Sequence, residues 1–234
     1  MKFFRTILFL LFTTSSIYGQ IEIDSLFVFT GKKISIKKIK DFEDKKTQID
    51  IIVVNDSIIY IETPNVIQDY KYRAKFKIIE QFKGDLPDKK IEFDLYNHYG
   101  KPKLSKSNTF LLFVIKIDGE FQLLKYAHHR VYETENEKFA IPYDKNEYRN
   151  QNVPLLKIEP KKINFKQVPE FRIYEDDSPD WVKRTYPKPY YRIEKNKAIP
   201  IFGNYIEDYI KLRLNGTLKD VFKRHYPAKC VSLK

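Results

Sequence analysis

Residues 70–96 read YKYRAKFKIIEQFKGDLPDKKIEFDLY, and the alternation in this stretch decides the fold class. On an extended chain Tyr70, Tyr72, Ala74, Phe76 and Ile78 point one way, and Lys71, Arg73, Lys75 and Lys77 the other. KGDLPD then supplies a turn. The returning segment puts Ile91, Phe93 and Leu95 on the apolar face and Glu92 and Asp94 on the polar one. If the two segments pair as a hairpin, the basic row faces two carboxylates, and opposite charges across a strand pair offset the repulsion within the row. The stripe therefore reads first as the solvated, charge-paired face of a sheet, with capture of a polyanion as the competing reading.

The pattern stays β on both sides of this hairpin. LFVFTGKKISIKKI alternates after Gly31, and a glycine inside a strand suggests a bulge or sharp bend. IDIIVVNDSIIYIE reads as two strands around Asn55-Asp56-Ser57. FLLFVIKIDGEFQLLKY carries Asp118-Gly119 between two apolar runs, the strongest short hairpin signal in the chain. Phe110 to Ile115 is apolar on both faces and belongs in the centre of the structure.

Beyond Tyr143 the alternation is lost. Eight of the twelve prolines lie between Pro142 and Pro200, a density that opposes long helices and central strands. This segment is expected to wrap the preceding sheet irregularly. Helix is expected only at the end: YIEDYIKLRL with Asn204 as N-cap and Asn215-Gly216 as stop, then LKDVFKRHY behind Thr217 and Asp220. The fold class is thus mainly β: a barrel, a Pro-rich segment and a short C-terminal helical pair. The corresponding units are a leader at 1–19, the barrel at 20–143, the wrap at 144–203 and the helices at 204–234.

Residues 1–19 have Lys2 and Arg5 ahead of the apolar run Ile7 to Phe12 and end on small and hydroxylated residues. That is the pattern of a secretory signal peptide, too short for a transmembrane span. The protein is therefore expected to be exported, to the periplasm or the extracellular space, with no span after cleavage. Without the leader, 41 Lys and Arg face 31 Asp and Glu. A balance of +10 favours acidic partners, and export disfavours nucleic acid among them. Cys230 is the single cysteine, so no intrachain disulfide or cysteine-based zinc site is available.

Three blocks in order, VFTGKKISI, AKFKIIEQFKGDLPDKKIEF and NTFLLFVIKIDGEFQLLKY, resemble the netrin-like fold, the OB-type barrel of tissue inhibitors of metalloproteinases and related secreted bacterial proteins. The resemblance covers roughly residues 21–135. It implies a five-stranded closed barrel of Greek-key type and a secreted binding module. Members that inhibit metalloproteinases present an N-terminal cysteine to zinc. Here the expected mature N-terminus is Gln20, so that activity is not carried over.

The chain has seven glycines and shows no nucleophile elbow, HExxH helix, phosphate loop or dinucleotide-binding fingerprint. His128 and His129 are adjacent on an expected strand and point to opposite faces; His98 could approach one of them across the sheet, but the ligand geometry a metal requires is not offered by this set, so no metal site is expected. Glu175, Asp176, Asp177 and Asp180 crowd one stretch without the spacing of a calcium loop and read as a solvated turn. No cofactor is implied. The candidate binding surface is WVKRTYPKPYYR, where Trp181, Tyr186, Tyr190 and Tyr191 interleave with Lys183, Arg184, Lys188 and Arg192 on a backbone that its prolines would hold extended. Aromatic faces beside cations stack on sugars, bases or Pro-rich peptides; the alternative is a strap whose rings pack on the barrel. The expected function is an exported, non-enzymatic binding module for an extracytoplasmic protein or an acidic glycan. The alternative is a hydrolase of an extracellular polymer, using carboxylates such as Asp176, Asp177 or Asp180.

Overall fold

The computed structural model describes residues 26–39, 48–54, 57–63, 70–98, 100, 102, 104, 107–117, 119–151, 157–219 and 221. The leader at 1–19, the turn residues Asn55, Asp56 and Asp118, the capping residue Asp220, and Cys230 lie outside them. Five strands close a barrel: β1 (Leu26–Lys38), β4 (Tyr70–Lys83), β5 (Lys90–Asn97), β6 (Thr109–Ile117) and β7 (Glu120–Arg130). Their order around the barrel is β1-β4-β5-β7-β6, with β6 pairing back to β1. Every pairing is antiparallel except β5 with β7. Counting barrel strands alone, the order is 1-2-3-5-4, the Greek-key arrangement of an OB barrel. Strands β2 (Gln48–Val54) and β3 (Ser57–Thr63) form a separate hairpin between the first two barrel strands.

The register of the opening hairpin follows from its side-chain period. Arg73 faces Asp94, Ala74 faces Phe93, Lys75 faces Glu92 and Phe76 faces Ile91. A one-residue slip would turn Phe76 and Phe93 out to water, and it is their burial that holds the register. β1 serves two neighbours by bending. Its register against β4 shifts between Thr30 and Gly31, where a side chain at Gly31 would meet the Phe29 ring at 3.2 Å and the Lys77 carbonyl at 3.3 Å. The bend expected at this glycine is present. The turn into β7 is likewise carried by Gly119, at φ 88°.

Strand β6 is buried from Phe110 to Ile115, and its two faces serve different cores. Phe110, Leu112 and Val114 fill the barrel interior with Phe29, Phe76 and Phe93. Leu111, Phe113 and Ile115 face outward, against Ile206, Tyr209, Ile210 and Leu212 of the helix at Ile206–Asn215. The chain after the barrel thus covers the β1–β6–β7 wall, which would otherwise expose a row of large apolar residues.

Between barrel and helix the Pro-rich segment builds small sheets. Strands β8 (Tyr132–Glu133), β9 (Phe139–Pro142), β10 (Lys161–Lys162) and β14 (Phe202–Tyr205) form one in the order β10-β14-β9-β8; β11 (Phe171–Arg172), β12 (Tyr191–Glu194) and β13 (Lys197–Pro200) form another in the order β11-β13-β12. Pro142 and Pro200 stand at strand ends, where a missing N–H costs least.

Two local expectations are corrected. Helix is not confined to the C-terminus, because α1 (Lys145–Arg149) and α2 (Pro179–Thr185) precede α3 (Ile206–Asn215). WVKRT is consequently helical rather than extended. Ser178 caps α2 by accepting the Trp181 N–H, and Pro179 enters the first turn with its φ already suited to a helix. Asn204 also does not cap α3. It lies within strand β14, where its side chain accepts from the Tyr148 hydroxyl and donates to the Glu159 carbonyl; Tyr205 occupies the cap position. Thr217 opens the helical residues 217–219 and 221, and its hydroxyl donates to Glu147. Among the described residues no helix is long and apolar enough to cross a membrane.

Candidate functional site

A concave cleft of about 680 Å³ opens where the end of β7, the β9–α1 corner, α2 and β12 converge. Its aromatic lining is Tyr132, Tyr143, Phe171, Trp181, Tyr186 and Tyr191, and its cations are Arg130, Lys145, Arg149 and Arg184. Asp144 is the one carboxylate in the lining among the described residues. That carboxylate is already engaged, because Asp144 caps α1 and accepts the Asn146 N–H at 2.9 Å.

The rings brace one another. Tyr143 stacks on Tyr190 with centroids 3.8 Å apart and on Tyr148 at 4.7 Å. Tyr191 donates its hydroxyl to the Tyr143 carbonyl, and Tyr186 stands edge-on to Tyr191 and to Trp181. Burial raises the phenol pKa of Tyr143, Tyr186 and Tyr191, so all three remain neutral across the physiological range. The aromatic wall is therefore rigid and uncharged, and the positive charge of the cleft comes from its four cations.

None of those four forms an ion pair among the described residues. Arg130 lies over the Tyr132 ring at 4.7 Å, and Arg184 donates to the Asp180 carbonyl within its own helix. The opening hairpin behaves differently. Lys71 and Arg73 both engage Asp94, at 2.8 and 2.9 Å, and Lys75 engages Glu92 at 2.7 Å. The fourth member of that row, Lys77, stands opposite Lys90 at the hairpin end.

The back wall of the cleft is a buried polar assembly. The Tyr209 hydroxyl lies 3.0 Å from His129 Nδ1. Burial, with the nearby Arg213 charge, holds the His129 pKa well below its ordinary value, and the ring is neutral. Arg213, with its side chain 2% exposed, pairs with Glu147 and donates to the Tyr126 carbonyl. Tyr126 takes a φ of 59° there, which turns that carbonyl toward the guanidinium. α1, α3 and β7 are thus tied together behind the cleft.

Of the residues singled out from sequence, Trp181, Arg184, Tyr186 and Tyr191 come together in the cleft. Lys183, Tyr190 and Arg192 do not line it. Lys183 is exposed on α2, Tyr190 packs between Tyr143 and Phe202, and Arg192 pairs with Glu194 on the far side of β12. The acidic stretch lies outside the cleft as well. Asp177 accepts the Tyr174 N–H and Asp180 opens α2. Sequence reasoning missed Arg130, Lys145 and Arg149. The signal was present, since HHRVY and PYDKNEYR interleave bases with aromatics as the α2 segment does. Among the described residues no group of three or more metal-ligating side chains could hold a metal ion. No family model, curated protein or solved structure matches this chain.

Proposed function

We propose that the protein is an exported, non-enzymatic binding module, and that its ligand is an acidic glycan held in the cleft. The observation that carries this reading is the set of four cations that have no carboxylate partner among the described residues, beside a braced aromatic wall. Neutral rings offer faces on which a pyranose stacks, and the guanidinium and ammonium groups supply the counter-charge for a carboxylate or sulfate. The volume falls in the roughly 300–1,000 Å³ range usual for ligand sites. A concavity of this kind suits an oligomeric sugar acid better than the broad face of a partner protein. The signal-like leader and the resemblance of the barrel to netrin-like modules support export and a binding role.

The lining also favours binding over hydrolysis. Glycoside hydrolysis ordinarily uses two carboxylates flanking the scissile bond, whereas among the described residues the lining holds one, Asp144, which caps a helix. Trp181 is the only tryptophan in the chain and is 38% exposed at the cleft, so its fluorescence reports occupancy directly. The test is a titration with uronate and sulfated oligosaccharides and their neutral counterparts. Saturable change with the acidic set alone, weakening as salt screens the charges, is expected. Equal response to neutral sugars, or none to any acidic sugar, would overturn the reading.

A further inference from the structure

A second depression of about 410 Å³ lies on the other side of Arg130 and Tyr132, and these two residues line both. The lining chemistry changes across that ridge. On the far side stand Ser107, Asn108, Thr109, Gln167 and Glu133. Hydroxyls and amides both donate and accept, which matches the hydroxyl groups of an uncharged sugar. Glu133, paired with Lys166 at 3.7 Å, is the carboxylate of this lining, and Arg130 is its one cation among the described residues, so a second anionic unit finds little counter-charge there. Arg130 can serve both sides, because its guanidinium carbon lies 4.7 Å from the Tyr132 ring centroid and its five N–H donors outnumber what that contact uses.

We propose that the two depressions are adjoining subsites of one groove for a single chain. The ligand is then an alternating acidic oligosaccharide, with a uronate in the aromatic and cationic subsite and a neutral or N-acetylated sugar in the polar one. This inference rests on the acidic-glycan reading and adds ligand length and alternation to it.

The experiment follows Trp181 fluorescence with three probes: a single uronate, the uronate–N-acetylhexosamine disaccharide, and digalacturonate. The disaccharide is expected to bind about tenfold tighter than the single uronate, the gain that one or two net hydrogen bonds supply. It should also bind more tightly than digalacturonate. In the Asn108→Ala/Gln167→Ala protein, both surface changes, the advantage of the disaccharide over the single uronate should collapse while the melting temperature holds. Equal affinity for the uronate and the disaccharide, equal affinity for digalacturonate, or an undiminished length advantage in the double variant would each overturn the two-subsite groove and leave the acidic cleft standing. Failure of every acidic saccharide to bind would remove the cleft reading itself.

Discussion

Two regions of this molecule are basic, and they use their charge in opposite ways. On the outer wall of β4 and β5, three of the four cations in the row are answered across the hairpin by Asp94 and Glu92. In the cleft, four cations from β7, α1 and α2 have no carboxylate partner among the described residues. The β4 row is the more conspicuous of the two in sequence, yet its field is largely neutralised within the sheet. A density of Lys and Arg therefore says little about binding until the position of the counter-charges is known.

The paired limit of this comparison is the buried Arg213–Glu147 couple. Glu147→Ala strands a guanidinium in the protein interior and is expected to cost about 3–5 kcal/mol, the largest stability loss proposed here. Chemical denaturation measures it, and a loss below about 1 kcal/mol would mean that water reaches Arg213. Replacing both partners with apolar residues of similar size should cost much less.

Charge reversal separates the two regions in function. Arg149→Glu with Arg184→Glu should weaken acidic-oligosaccharide binding by about a hundredfold or more, because it replaces two attractive charges beside an anionic ligand with two repulsive ones. Arg73→Glu on the opposite wall should leave binding within about twofold. Comparable losses from both would erase the distinction between paired and unpaired cations.

Asp94 provides a pH test. Burial alone would raise its pKa, but hydrogen bonds and charge from Arg73 and Lys71 outweigh burial and hold it below the ordinary value. A carboxyl depressed in the folded state stabilises fully above its unfolded pKa, and that contribution is lost as pH falls from about 4 through the folded value. Asp94→Asn should therefore flatten the acid limb of the stability curve and cost about 2 kcal/mol at neutral pH, the scale of a hydrogen bond to a charged group. An unchanged acid limb would show that other carboxylates set it. The smallest effect is expected from Lys75→Ala. Its pair with Glu92 lies in open solvent, and the melting temperature should move no further than experimental error.

Much of the barrel was legible because strand side chains repeat every two residues. Phe76 and Phe93 can be assigned to the interior, and Arg73 and Asp94 to the outside, from alternation alone. The two-sided burial of Phe110 to Ile115 was also readable, although its cause was not. It is α3, some ninety residues later, that covers the outer face. α2 was misread because proline density was weighed and the Ser178-Pro179 start signal was not. Four members of the cleft, Trp181, Arg184, Tyr186 and Tyr191, lie within one short segment and could be named together. Arg130, Lys145 and Arg149 could not be joined to them by spacing, since the chain between passes through two other small sheets.

By itself, then, the sequence determined what short-range periodicity and composition can carry: a mainly β chain, a barrel built from its first half, a basic balance and a segment that interleaves aromatics with cations. Only the tertiary structure decided which cations meet a carboxylate among the described residues and which do not. Whether a charge is neutralised depends on a partner within a few ångströms, and for Arg130 and Arg149 that neighbourhood is assembled from segments distant in the chain. The same long-range closure places an aromatic wall beside those cations.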